Sequence, residues 1–289
     1  MRVIVAMVLV VLPASAEWVA SYRLGEALLE QGRTEDAVRE LKIALAERPE
    51  EVTILDAMGR AEFRAGRYRS AKGYFEKASR AGVDSAVPLA NWAQACFVLG
   101  EYSCAERLLR RTLATLPGCA DAWYLLGQVF YKTRRYADAD SAYHKALAIN
   151  NNALIWNDLA GLCVLQHREE EAMQMFRRAI SEGSPGQGRA RVRSNLAELQ
   201  WKRGTRTEAK IGFQQALDEM TIAVGPNHPE IAVILEKYSQ ILWKSGQKTE
   251  AKGAAARAAE IRSAFDLQSN RNGLTVDWRE LSRSGAQGR

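Results

Sequence analysis

Four cysteines, three histidines and an acidic triplet are the residues of this 289-residue chain that could form a catalytic or metal centre. Cys96, Cys104, Cys119 and Cys163 form neither a CxxC pair nor another metal-ligand spacing. His144, His167 and His228 stand apart from one another and from any HExxH pattern. Glu169, Glu170 and Glu171 are contiguous and precede an apolar-periodic run, where carboxylates favour a helix N-terminus through its dipole. No GxxxxGK[ST] phosphate loop and no GxSxG nucleophile elbow occurs. The expectation is a non-enzymatic protein with no catalytic residues, no metal site and no cofactor. The cysteines have another use, because disulfides are permitted in an exported protein. Cys96 and Cys104 lie across one expected helix-helix turn and are the candidate pair; buried free thiols acting as small hydrophobes are the alternative.

The spacing of large and small residues is far more orderly. Residues 122–147, AWYLLGQVFYKTRRYADADSAYHKAL, belong to a unit that recurs along the chain. With units starting near 18, 52, 86, 120, 153, 190 and 232, position 8 holds Gly25, Gly59, Ala93, Gly127, Ala160, Ala197 and Ser239. Position 20 is alanine throughout: Ala37, Ala71, Ala105, Ala139, Ala172, Ala209 and Ala251. Each unit holds two runs of apolar residues at helical spacing. Gly32, Gly66, Gly100, Gly204 and Gly246 separate the runs and suit the left-handed conformation that ends a helix. Antiparallel helices that cross closely admit only Gly, Ala or Ser at the crossing, which accounts for positions 8 and 20.

This pattern resembles the tetratricopeptide repeat, W-x2-L-G-x2-Y…A-x3-F…P. Trp123, Leu126, Gly127 and Phe130 match it closely, and the resemblance runs from residue 18 to about 265. It implies an all-α, right-handed α-solenoid of seven helix-turn-helix repeats. The spacing of 42 before the last unit, with Gly225-Pro226-Asn227-His228-Pro229-Glu230, is similar to the longer repeats of kinesin-light-chain type. Ser21 where Trp is usual and Glu62 at an ordinarily apolar position depart from the pattern. The family lines a concave groove with positions 2, 5, 9, 12 and 13 of the first helix. Position 12 is here Leu29, Phe63, Phe97, Tyr131, Val164, Trp201 and Trp243. The polar flank includes Arg64, Gln94, Gln128, Lys132, Asn157, Asn195, Lys202 and Lys244, with position 13 basic in four units. An aromatic row with a basic rim would suit an extended protein or peptide partner, although packing between units can also claim position 12. Position 5 carries no lysine, so the family's carboxylate clamp for chaperone C-termini is absent.

The ends differ from the repeats. Arg2, the apolar run Val3 to Leu12, Pro13 and Ala14-Ser15-Ala16 read as a signal peptide over 1–16, with an uncleaved anchor as the alternative. No later segment has eighteen uninterrupted apolar residues, so no membrane span is expected in the mature chain. The alanine-rich AKGAAARAAEIR is expected to fray, and 266–289, with Trp278, to form a flexible tail outside the 17–265 array. The net charge of +6 is interspersed with acidic residues and forms no basic stripe, so nucleic acid is not expected as a partner. The expectation is an exported, periplasmic or secreted scaffold that binds a peptide segment or helix of a partner, with self-association through the tail as a possibility. The alternative is a structural or assembly component of an envelope complex (secretion, pilus or outer-membrane biogenesis) that contacts partners through its convex face or ends.

Overall fold

A computed structural model describes residues 17–82 and 86–271, with 266–271 as helix backbone alone. The proposed signal segment and Trp278 lie outside the described residues. Among those residues the structure is helical and turn, with no strand. The described residues form fourteen helices in seven hairpins and two compact bodies. The body ending at Gly118 holds α1 (Glu17–Glu30), α2 (Thr34–Glu47), α3 (Val52–Arg64), α4 (Tyr68–Ala81), α5 (Ala86–Val98) and α6 (Tyr102–Thr115). The body from Cys119 holds α7 (Ala120–Lys132), α8 (Tyr136–Ile149), α9 (Ala153–Leu165), α10 (Glu169–Glu182), α11 (Gln187–Lys202), α12 (Arg206–Val224), α13 (Pro229–Lys244) and α14 (Lys248–Arg271). Within each body the second helix of one hairpin packs on the first helix of the next. First helices also contact first helices: α1 with α3, α3 with α5, α9 with α11 and α11 with α13.

Every hairpin turns in three residues, and all seven turns are the same. The middle residue is left-handed: Gly32, Gly66, Gly100, Gly204 and Gly246, but also Arg134 (φ 61°) and His167 (φ 59°). Its N–H donates to the carbonyl of position 12, as from Gly32 to Leu29 at 3.0 Å; the next N–H donates to position 11, as from Arg33 to Leu28 at 2.9 Å. These paired bonds satisfy two carbonyls that a helix end leaves open, the Schellman arrangement. Two turns therefore use side-chain-bearing residues where glycine was the expected signal.

The small residues have a sharper purpose than helix crossing alone. A Cβ on Gly127 would sit 2.5 Å from the ring of Tyr143, and one on Gly59 would sit 2.4 Å from Phe75. Position 8 thus makes the seat for the large side chain at position 24. In hairpin six position 8 is Ala197, and the facing helix carries Gly212, whose Cβ would lie 2.9 Å from the Ala197 methyl. The position-20 alanines from Ala37 to Ala209 are fully buried. Hairpin seven is looser, with Ser239 half-buried. Glu62 is buried, and Arg67 neutralises it through Nε at 2.5 Å while also reaching Glu35 at 2.7 Å. The alanine-rich run does not fray: it forms part of α14, which buries Ala251, Ala258 and Ile261.

Two substitutions test this account. Gly127→Ala should lower stability by up to about 2 kcal/mol, the overpacking against Tyr143 costing about 1–3 kcal/mol and the helix preference of alanine returning about 1 kcal/mol. A raised urea midpoint would remove the seat. Arg134→Gly should raise stability by about 0.5–1 kcal/mol, since it relieves a left-handed side-chain residue but frees the unfolded chain; a fall in thermal midpoint would contradict the turn.

Candidate partner-binding face

Because first helices adjoin one another within each body, each body has its own first-helix face, and positions 5, 9, 12 and 13 fall along it. Position 12 is not an open aromatic row. Leu29 is 1% exposed and belongs to the core, so it offers a partner no surface. Phe63, Phe97, Tyr131, Val164 and Trp201 are half-buried. Their burial follows from the turn, which brings position 17 over position 12. Phe63 meets Tyr68 edge-on at 5.0 Å, Phe97 meets Tyr102 at 5.8 Å, and Tyr131 meets Tyr136 at 6.0 Å. Arg206 lies over Trp201 and Lys248 over Trp243. Trp243 alone of the set is an exposed ring, at 51%. The uniformly exposed position in both bodies is 13: Glu30, Arg64, Val98, Lys132, Leu165, Lys202 and Lys244.

The polar residues of this face largely bond to one another. In the first body Arg60 donates to Asp56 at 3.1 Å and to Glu26 at 2.6 Å, Asn91 donates to Asp56 at 2.7 Å, and Arg64 donates to the Leu29 carbonyl. In the second body Asn195 donates to Asn157 at 2.7 Å, and Lys237 donates to Asn195 at 2.9 Å. Glu198 is bridged by Lys202 and Lys237, each at 3.1 Å. Burial alone would raise the Glu198 carboxyl; the two lysines outweigh it and hold the group below its ordinary value. Gln94, Lys132 and Lys244 are exposed side chains of the expected set, while Asn157, Asn195 and Gln128 are half-buried ties between hairpins.

At the centre of the second ladder is Asp158, which the sequence reading did not single out. It accepts from Tyr124 Oη at 2.9 Å, from Asn157 at 3.2 Å and from Gln128 at 3.4 Å. Burial pushes its carboxyl above the ordinary 3.8, and the three donors oppose that rise. Burial and the neighbouring Asp158 also raise the Tyr124 phenol. A signal was present: Asp158 is the only charged residue of ALIWNDLAGLCVL.

Cys96 and Cys104 are joined as a disulfide across the turn of hairpin three, with Cα atoms 6.1 Å apart, within the usual range. Cys119 and Cys163 are free, the latter buried. The Glu101 carboxylate is close to both sulfurs and is engaged by Lys72. With the sulfurs bonded to each other, neither is a thiolate that could ligate a metal. His144, His167 and His228 lie on three different elements: on α8, in the turn of hairpin five and before α13.

Tetratricopeptide repeat family models match residues 18–55, 91–153, 129–188 and 188–264. The chain belongs to the tetratricopeptide repeat family, whose members are typically non-enzymatic protein-interaction scaffolds. No protein of curated function matches it in sequence. Among solved structures it is similar to a tetratricopeptide repeat protein from Parabacteroides merdae, with 19% identity over 85% of this chain and 93% of that one, at a TM-score of 0.67. It is also similar to PilF of Pseudomonas aeruginosa, with 21% identity over 70% and 90% and a TM-score of 0.60. A third likeness is to MamA from Desulfovibrio magneticus, with 20% identity over 57% and 94% and a TM-score of 0.53. At these identities the likeness is one of fold.

Asp158 generates a pH prediction. A carboxyl with a higher pKa folded than unfolded contributes stability that is complete below the unfolded value and is lost as pH rises through the folded value. The native protein should therefore lose stability relative to Asp158→Asn as pH rises from about 4 towards neutrality. Urea titrations at constant ionic strength measure this; parallel curves for the two proteins would show that burial does not raise Asp158.

Proposed function

We propose that this protein is a non-enzymatic scaffold of the cell envelope that holds a peptide segment or helix of a partner protein against its first-helix faces. The observation that carries this reading is the exposed side chains of position 13 beside the partly covered rings of position 12. Lys132 and Lys244 are exposed there and have no ion pair among the described residues, and Trp243 offers an exposed ring. An aromatic anchor with a charged rim is the usual composition of a binding surface: the ring supplies energy, and the charges supply rate and specificity. The envelope setting rests on the charged, apolar and small-residue order of the first sixteen residues. No described helix is long and apolar enough to cross a membrane.

One observation favours the alternative of an assembly component that uses another surface. A cavity of about 720 Å³ lies between α11 and α12, with Arg189, Arg193 and Glu219 in its wall, and Ile222 in its lining is 88% exposed.

Affinity capture from envelope extract separates the two readings. The tagged protein is compared with Lys132→Glu/Trp243→Ala/Lys244→Glu and with Ile222→Asp, and bound proteins are identified by mass spectrometry. Loss of a partner on the triple variant alone, with helicity unchanged, is the expected result. Loss on Ile222→Asp alone would move the interface to the cavity side.

A further inference from the structure

In hairpins four and five, position 4 of the first helix is a tryptophan, and position 26 of the facing helix covers it with a cation. Lys145 lies over Trp123 at 4.3 Å and Arg178 over Trp156 at 4.8 Å. The cation need not be free to do this, since Arg178 also pairs with Glu182, at position 30, at 2.8 Å. Hairpins two, three and seven place Leu55, Leu89 and Leu235 at position 4, and hairpin one places Ser21 there. Hairpin six alone has a charged residue, Arg193, with Gln215 at position 26. Arg193 donates to Gln215 at 3.0 Å and pairs with Glu219, again position 30, at 2.9 Å. The cation and carboxylate of hairpin five are both present, with the cation moved to the first helix, and the ring is missing.

Arg193, Gln215 and Glu219 all line the cavity of about 720 Å³ between α11 and α12. The extra length of α12, 19 residues against 14 in α10, adds Ile222 to its wall, 88% exposed. Arg189 and Arg193 both pair with Glu219, so the unengaged charge in the wall, among the described residues, is the exposed carboxylate of Asp218. The chain carries a ring that the repeats do not use. Trp278 has Leu274 four residues before it and Leu281 three after, a spacing that puts three apolar side chains on one helical face. Arg279 adjoins it, opposite in sign to Asp218. Ile261 of α14 shares a core cluster with Met220 of α12, and Arg257 donates to Asn227, just beyond α12, at 2.6 Å. The last turns of α14 therefore run past the end of α12 that carries Ile222. From Ile261 to the helix end at Arg271 is about 15 Å. The seven residues from Arg271 to Trp278 span up to about 23 Å, enough to bring the ring back to Ile222.

We infer that residues 274–281 of the same chain dock in the cavity of hairpin six, where the Trp278 ring takes the place that Trp123 and Trp156 fill in hairpins four and five. Arg193 covers the ring while it keeps its bond to Glu219, as Arg178 covers Trp156 while it keeps Glu182. Leu274 and Leu281 meet the apolar wall at Ile222, and Arg279 reaches Asp218. The tether keeps the segment at a high effective concentration, so a contact of modest area can hold it. A partner that addressed Ile222 would first have to displace this segment. The first-helix binding face takes no part in the contact, so the two inferences stand or fall separately.

The test is amide hydrogen exchange, followed by mass spectrometry, on the full chain and on Trp278→Ala, Ile222→Asp and Lys132→Glu/Trp243→Ala/Lys244→Glu. Ile222 is so exposed that its replacement should leave helicity and melting temperature unchanged. Amides of 274–281 should exchange about tenfold more slowly, or slower still, in the native protein than in Trp278→Ala, as expected of a segment docked most of the time. Ile222→Asp should remove that protection, and the triple variant should keep it. Amides at the end of α12, around 222–224, should exchange faster in Trp278→Ala than in the native protein. Protection should not change when the native protein is diluted. Three results would overturn the inference. Equal exchange of 274–281 in the native protein and Trp278→Ala would mean that the segment does not dock. Protection that survives Ile222→Asp would mean that it docks elsewhere. Protection lost on dilution would mean that the cavity receives the tail of a second copy.

Discussion

A three-residue turn with a left-handed middle residue is the constraint on which the rest of this structure depends. Its two reverse hydrogen bonds close the first helix and start the second almost at once, so the helices must run antiparallel and in one register. That register brings positions 8 and 24 into contact and sets Gly127 beneath Tyr143. It also brings positions 11, 16 and 19 together at the mouth of each hairpin. The chain secures this mouth in several ways. Arg33 meets Asp36, Arg135 meets Asp138, and Arg168 meets Glu171, whereas Gln247 bonds Glu250. Hairpin two buries Glu62 against Arg67, and hairpin three uses the Cys96–Cys104 bond. Exposed ion pairs of this kind contribute little each, so the repeated feature is the backbone turn, and the side-chain locks can vary around it.

The legibility of the sequence follows the same division. Packing that is dictated by the lack of a side chain leaves a trace at a fixed period, and the seven small residues and seven alanines could be read directly. Glycine announced five turns; Arg134 and His167 adopt the same conformation at a cost that the surrounding bonds impose, and no residue type signals that. Position 12 was legible as a row of rings but not as a half-buried one. Its covering comes from position 17, which in three hairpins is a tyrosine that only the turn geometry brings within reach. Glu62 was legible as an exception, and its partner five residues later explains how a carboxylate can occupy a core position.

Polar character along a helix face is not the same as availability. Asn157, Asn195 and Gln128 were readable as groove residues, and they do lie on the face that first helices share. Most of their capacity is spent on tying hairpins together. An amide has few donor and acceptor sites, and Asn157 uses one to accept from Asn195 and one to donate to Asp158. The groups left for a partner are those that the ladder does not reach, such as Lys132 and Lys244 at the exposed position 13.

In a stack of repeats each hairpin meets only its neighbours, so stability is a sum of local units and interfaces. Apolar interfaces of this kind tolerate small sliding, because dispersion and burial have little direction. The ladder through Tyr124, Asp158, Asn157, Asn195 and Lys237 is directional and crosses four successive first helices. A shift of one hairpin would leave Asp158 short of a donor in a place where burial already disfavours its charge. The ladder therefore fixes the spacing of the face that a partner would meet, and the carboxylate whose pKa burial raises is the residue that holds that spacing.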